Sequence, residues 1–104
     1  LVKADIDKGV LGTDGTVFNQ TQTGLLSEDT TTELDVETLD ITNGIKILYV
    51  ANEAVGVDTS FKEYGVKSVD TTTYYSRSVF PQYDKTADDI FYMDDYWEFY
   101  INEE

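Results

Sequence analysis

The sequence predicts an all-β fold, a sandwich-like domain or small barrel of about six to eight short antiparallel strands. β-branched and aromatic residues alternate with polar ones in several short runs bounded by Gly, Asn and Asp. The apolar spacing that marks an amphipathic helix is almost absent. With 104 residues, 40% of them hydrophobic, the chain is expected to form one domain over 1–104.

The first elements are an arm and a polar strand. Residues 1–11 are interpreted as an extended N-terminal arm, followed by a turn at Gly12 and Gly15 and a polar strand over 16–21. If the domain were a fibre subunit, such an arm would pair with the edge of a neighbouring copy. Asn19 begins a formal N-glycosylation sequon, Asn-Gln-Thr.

A β-hairpin is the clearest element, centred on Asn43-Gly44, a dipeptide that tolerates the positive φ angles of a type I′ turn. A two-residue loop would place Ile41 opposite Lys46. Apolar residues fall on even positions before the hairpin and on odd positions in its first strand, so a β-bulge is expected near 37–38. Alternation assigns one face of the hairpin to the core, namely Leu39, Ile41, Leu48 and Val50.

Downstream, residues 59–64 are expected to form a short helical turn, because Ser60 is followed three residues later by Glu63 and Gly65 can end the turn. A strand over 71–80 should stop at Pro81, which cannot donate to a ladder. Two final strands, 90–93 and 96–101, should form a hairpin around Asp94-Asp95.

The charge is strongly acidic, with 21 acids against 7 bases and a formal net charge of −14. Two segments account for all of the excess: residues 9–45 and residues 86–104 each carry seven acids and no base, while 46–85 are neutral. Such a field repels phosphate backbones and anionic lipids, so no direct nucleic-acid partner is expected. It attracts cations and basic protein surfaces, and it also favours solubility.

Several classes of activity are excluded by residue types. The chain has no Cys and no His, which rules out thiolate chemistry, imidazole bases and Cys/His zinc sites. No nucleophile motif or Gly-rich phosphate loop is present, and an enzyme is therefore not expected. No apolar stretch approaches the ~18 residues that span a bilayer, so membrane insertion is not expected.

Divalent cation binding is the first candidate site. Ca²⁺ takes six to eight oxygen ligands, often from aspartates close in sequence on loops. If the last hairpin folds back on the loop before it, five aspartates could converge. They are Asp84, Asp88, Asp89, Asp94 and Asp95. The competing interpretation is that these residues are turn formers that need no metal. We therefore expect that no cofactor is required and treat Ca²⁺ as a candidate stabiliser of the fold.

A carboxylate array is the second candidate. Glu33, Asp35 and Glu37 would line one side of a strand at intervals of about 7 Å, close to the phosphate spacing of nucleic acid. Such an array would let the protein inhibit a partner by occupying its basic groove. Alternating acids are also what any half-exposed strand displays.

Exposed tyrosines are the third candidate. In the last strand, Trp97 should face the core, whereas Tyr96 and Tyr100 should lie on the opposite face. Tyrosine offers rigid contact area with a polar tip, which suits a protein partner or the rings of a carbohydrate.

These features predict a non-catalytic structural or interaction module that binds a protein partner or itself. The chain begins at Leu1, as expected of a processed or excised chain, and its lack of thiols suits an oxidising compartment. A secreted, cell-surface, fibre or virion protein is therefore expected. The alternatives are an acidic inhibitor that mimics nucleic acid and a carbohydrate-binding module.

Overall fold

Seven β-strands make up the described part of the chain, which is residues 5–17, 24–70 and 73–98 of a computed structural model. Every strand pair is antiparallel, and the described residues contain no helix. The all-β, sandwich-like prediction is therefore confirmed. The strands are β1 (Ile6–Gly12), β2 (Glu28–Asp35), β3 (Glu37–Ile41), β4 (Gly44–Ala51), β5 (Thr59–Ser68), β6 (Tyr74–Lys85) and β7 (Phe91–Glu98).

The strands form two sheets that pack face to face. Sheet A has four strands in the order β2-β1-β5-β6, and sheet B has three in the order β3-β4-β7. Between β2 and β3 the chain passes from sheet A to sheet B at a single residue, Val36, whose N–H donates to the carbonyl of Asp7 at 3.1 Å. Each sheet therefore has an inner face toward the other sheet and an outer face.

The core lies between the sheets and is rich in aromatic rings. Tyr49 of sheet B meets the edge of Tyr64 of sheet A, with ring centroids 5.4 Å apart, and its hydroxyl donates to the carbonyl of Thr32 at 2.6 Å. Phe91 packs edge-on to Tyr49 at 6.4 Å. The buried cluster consists of Ile6, Leu11, Ile47, Tyr49, Ala51, Phe61, Tyr64, Val66 and Phe91.

The predicted core face of the hairpin is wrong. Ile47, Tyr49 and Ala51 are fully buried, whereas Leu39 and Val50 are exposed. Both faces of β4 carry large apolar side chains, so alternation alone could not select the inner one. The face that sequence analysis assigned to the core is the outer face of sheet B.

The hairpin register and the bulge also differ from prediction. Ile41 pairs with Gly44, which makes Thr42-Asn43 the two-residue turn and shifts the register by two. No bulge occurs near 37–38, because the ladder runs unbroken over β3. Even-numbered residues face inward both before and after the chain changes sheet at Val36, so no extra residue is needed to reset the alternation. Leu39, an odd-numbered residue, therefore points outward.

The prediction of an extended N-terminal arm is wrong for the residues that the structure describes. Ile6–Gly12 form β1, which lies between β2 and β5 in sheet A, with Val10 and Leu11 fully buried. Long-range pairing therefore overrides the polar local composition. Of the predicted polar strand, 16 and 17 are not in a strand, and Asn19 lies outside the described residues.

The prediction of a helical turn over 59–64 is wrong, since these residues form the first part of β5. The capping pattern fails because its members have tertiary partners: Ser60 donates to Asp84 at 2.6 Å and Glu63 accepts bonds from distant residues. The turn precedes the strand instead, with positive φ at Gly56 and Asp58.

The last two strand predictions also change. β6 continues through Pro81 to Lys85, which is tolerated because β6 is an edge strand of sheet A. The hairpin around Asp94-Asp95 is wrong, because β7 runs unbroken over Phe91–Glu98 and pairs throughout with β4.

Candidate functional site

The outer face of sheet A is partly covered by the loop that joins β1 and β2. Glu63 of β5, fully buried, accepts four hydrogen bonds: from Arg77 Nε at 2.9 Å and from the backbone N–H groups of Asp14, Leu26 and Ser27 at 2.8–3.1 Å. The Arg77 guanidinium in turn donates to backbone carbonyls of the same loop. A buried ion pair thus holds the described parts of the β1–β2 loop, 13–17 and 24–27, against this face.

A second ionic cluster lies beside the first. The buried Lys67 ammonium is 3.0 Å from Glu28 Oε1 and 3.4 Å from Glu33 Oε1, and it lies 5.2 Å from the ring centroid of Tyr74. The Tyr74 hydroxyl donates to Glu28 at 2.5 Å. Burial and this bond raise the pKa of Tyr74. Burial opposes ionisation of Glu28, but its bonds from Tyr74 and Lys67 outweigh that effect and lower its pKa.

The outer face of sheet B is open. Four of its large side chains are substantially exposed: Leu39 by 43%, Val50 by 37%, Tyr92 by 62% and Tyr96 by 54%. Leu48 lies among them and is half-buried. We call this surface the open face, and define it by the outward residues of the three strands. They are Glu37, Leu39 and Ile41 of β3, Gly44, Lys46, Leu48 and Val50 of β4, and Tyr92, Asp94, Tyr96 and Glu98 of β7.

A depression of about 350 Å³ lies at the turn end of the open face. The register places Ile41, Gly44 and Glu98 in one row across the sheet, and the middle residue of that row has no side chain. The next row contains Tyr96. We call this depression the notch; it is lined by Ile41, Thr42, Asn43, Tyr96 and Glu98. An aromatic ring, an amide, a hydroxyl and a carboxylate therefore converge on a shallow site.

The charge of the open face is acidic. Lys46 is its one base, and the Lys46 ammonium lies 3.9 Å from Asp94 Oδ2 and 5.6 Å from the ring centroid of Tyr96. Three acids share the face with it, Glu37, Asp94 and Glu98. The single cation is thus already engaged with one acid and one ring of the same surface.

No protein-family model matches the chain, and neither a curated protein nor a solved structure shows significant similarity to it. Within the described ranges, no helix has the length and apolar character that crossing a bilayer requires.

The five aspartates predicted to bind a cation do not converge. Asp84 accepts bonds from Ser60 and Gln82, which lower its pKa, and Asp89 accepts bonds from Thr86 in the turn after β6. These are the roles of turn and strand-edge residues. Asp88 is exposed in the same turn.

The remaining two members of that group point in opposite directions. Asp94 lies on the open face, whereas Asp95 faces the other sheet and has a buried carboxylate oxygen without a hydrogen-bond partner. Consecutive residues of one strand cannot ligate a common ion from the same side. Among the described residues, no group of three or more acidic side chains is arranged to hold a metal.

The predicted carboxylate array is divided between the sheets. Glu33 is engaged with Lys67, and Asp35 with Lys8, on β2 of sheet A, while Glu37 begins β3 of sheet B. The three acids therefore do not line one strand. The geometry that motivated nucleic-acid mimicry is absent from these residues.

Tyr96 lies where alternation placed it, on the outer face and opposite the half-buried Trp97, which packs on the core. Tyr100 is outside the described residues. Sequence reasoning missed Leu39 and Val50, because apolar residues were assigned to the core. It also missed the Glu63–Arg77 pair, although Arg77 is the single arginine of a chain with net charge −14.

Proposed function

We propose that the chain is a non-catalytic β-sandwich module of a secreted, cell-surface, fibre or virion protein, and that it acts by binding another protein through the open face. The observation that supports this is the contrast between the two sheets. The outer face of sheet A is covered around Glu63 and Arg77 by its own loop and exposes Val79, whereas that of sheet B exposes four large apolar or aromatic side chains in one contiguous surface.

Exposed apolar side chains in a contiguous patch are costly in a soluble domain and mark interaction surfaces. The alternation of strand residues explains why these positions are exposed, since any sheet with one solvated face exposes its outward positions. It does not explain why those positions are Leu, Val and Tyr rather than Thr, Lys or Glu. An interaction surface accounts for that choice of residues.

The size of the open face indicates what part of an interface it can form. The strands lie about 4.8 Å apart, and β4 and β7 have eight residues but β3 has five, so together they cover roughly 330 Å². That is about two-fifths of the ~800 Å² that each partner buries in an interface of standard size. The open face would therefore form the apolar centre of a contact, and neighbouring loops would form its polar rim.

Site-specific photo-crosslinking tests the proposal. A photoreactive amino acid is placed at Leu39 or Tyr92 on the open face, and at Val79 on β6 of sheet A as a control that is also exposed. Labelled protein is irradiated with extracellular material of the source organism. Crosslinks to a discrete partner should form at Leu39 and Tyr92 and be lost on competition with unlabelled protein. Crosslinks only at Val79, or at none of the three, would contradict the proposal.

A carbohydrate-binding module is the second candidate, and the notch supports it. An exposed tyrosine ring beside an amide and a carboxylate is the usual combination for stacking on a sugar ring and bonding its hydroxyls. Retention on insoluble polysaccharide should then fall with Tyr96→Ala and persist with Tyr92→Ala, which removes an exposed tyrosine outside the notch. No retention of the unmodified protein would end this candidate.

A further inference from the structure

We infer that the partner of the open face is a basic segment of a protein, and that an arginine of that segment binds in the notch between Tyr96 and Glu98. This inference rests on the proposed function and specifies its partner chemistry. Three independent features support it: the placement of the acidic segments, the state of Lys46, and the composition of the notch.

The two base-free segments of the sequence meet in sheet B. β3 belongs to residues 9–45 and β7 to residues 86–104, and the two strands flank β4 on either side. Strands two positions apart are separated by about 10 Å. That distance is close to the Debye length of about 8 Å at physiological ionic strength, so the two acidic strands act together on an approaching charge.

Lys46 does not neutralise this surface. It is the one base of β4, and its ammonium lies within 3.9 Å of Asp94 and over the ring of Tyr96. Together with Glu37 and Glu98, the charged groups of the open face sum to −2. A basic partner would be attracted by this field and by the net charge of −14 of the whole chain.

The notch favours arginine over other cations. A guanidinium is planar, so it can stack on the exposed ring of Tyr96 while its N–H groups donate to a carboxylate such as Glu98. The Asn43 side-chain amide and the Thr42 hydroxyl add acceptors at the rim of the same depression. A lysine ammonium would gain the charge attraction without the planar stacking.

The apolar neighbours define the rest of the partner segment. Leu39 and Leu48 lie beside the notch in the next two rows across the sheet, and Val50 and Tyr92 lie at the far end. In a partner segment with an arginine flanked by apolar residues, the guanidinium would bind in the notch. The flanking residues would then contact Leu39, Leu48, Val50 and Tyr92. Nucleic acid and anionic membranes are disfavoured by the same charges that attract this segment.

The test uses a short synthetic peptide in which one arginine is flanked by valines, and a matched peptide in which citrulline replaces the arginine. Citrulline keeps the length and planarity of the side chain and removes its charge. Binding is followed by two-dimensional NMR of the labelled protein. The arginine peptide should shift signals of residues 39–44 and 96–98, and the citrulline peptide should bind at least about fivefold more weakly. Added salt should weaken the binding of the arginine peptide.

Matched variants separate recognition in the notch from bulk charge. Glu98→Gln and Asp88→Asn each remove one negative charge, but Asp88 lies in the turn before β7, at the opposite end of that strand from the notch. Glu98→Gln should lower the affinity for the arginine peptide about fivefold, and Tyr96→Leu should lower it about threefold. Asp88→Asn should change this affinity less than about twofold. Unchanged thermal melting of each variant confirms that it is folded.

Three outcomes would overturn the inference: equal binding of the citrulline peptide, equal weakening by Asp88→Asn and Glu98→Gln, or shifts of the notch signals by a neutral oligosaccharide but not by the arginine peptide. The last result would assign the notch to carbohydrate. If the peptide fails but photo-crosslinks still map a partner to Leu39 and Tyr92, the proposed function stands and only the partner chemistry is wrong. Crosslinks that avoid the open face would remove the proposed function itself.

Discussion

Replacing Glu63 with glutamine should destabilise the fold by about 4 kcal/mol. Each carboxylate oxygen accepts two bonds: Oε1 from Leu26 N–H and Arg77 Nε, and Oε2 from the N–H groups of Asp14 and Ser27. A glutamine amide has one acceptor oxygen, so in either orientation its NH₂ group faces two donors. Each donor left without an acceptor costs about 1–3 kcal/mol, and the buried guanidinium also loses its counter-charge.

Urea unfolding measures this effect. With a slope of about 2 kcal/mol per M, typical of a small domain, the midpoint should fall by about 2 M. Amide hydrogen exchange supplies a local measure, because the N–H groups of Leu26 and Ser27 should lose protection before the strands do. Loss of protection at these two amides would locate the damage in the β1–β2 loop.

Glu33→Gln is the matched control. Its carboxylate is partly exposed and makes a single 3.4 Å ion pair with Lys67, so the substitution should cost less than about 1 kcal/mol. Equal midpoints for Glu63→Gln and Glu33→Gln would refute the argument, because the Glu63 carboxylate would then not be holding the loop.

Two further predictions concern pH and calcium. Burial raises the pKa of Tyr49 and Tyr64 above the usual value of 10.0, so above pH 10 the unfolded chain loses protons that the folded protein keeps. Stability should therefore fall as pH rises past about 10, by up to about 1.4 kcal/mol per pH unit for each tyrosine, and Tyr64→Phe should flatten the dependence of urea midpoints on pH. Millimolar Ca²⁺ should leave the melting temperature equal to that in chelator, because no three acidic side chains of the described residues are grouped to hold a metal; saturation at 100 times a dissociation constant would instead add about 2.7 kcal/mol.

The fold class follows from the sequence because strand alternation is a local property. Tyr96 and Trp97 were assigned to opposite faces correctly for the same reason. Alternation could not choose between the two apolar faces of β4, since that choice depends on where sheet A lies. Leu39 and Val50 were therefore assigned to the core, and two exposed apolar residues of the open face were missed.

Elements whose conformation depends on distant partners were not predictable from local pattern. Ser60 and Glu63 have the spacing of a helix cap, yet both bond to residues far along the chain and lie in a strand. The Asp94-Asp95 pair resembles a turn, but continuous pairing with β4 keeps it extended. In each case a tertiary contact outweighs a local preference worth about 1 kcal/mol.

The position of β1 between β2 and β5 has a consequence for how the protein reaches its folded state. Val10 pairs with Gly65, a residue 55 positions further along the chain. At a synthesis rate of about 5–20 residues per second, the first strand would wait roughly 3–11 s for this neighbour. During that interval Val10 and Leu11, which are fully buried in the finished sheet, have no partner strand on that side. Folding should therefore be slow, and nascent chains that end before β5 should be prone to aggregation or dependent on a chaperone.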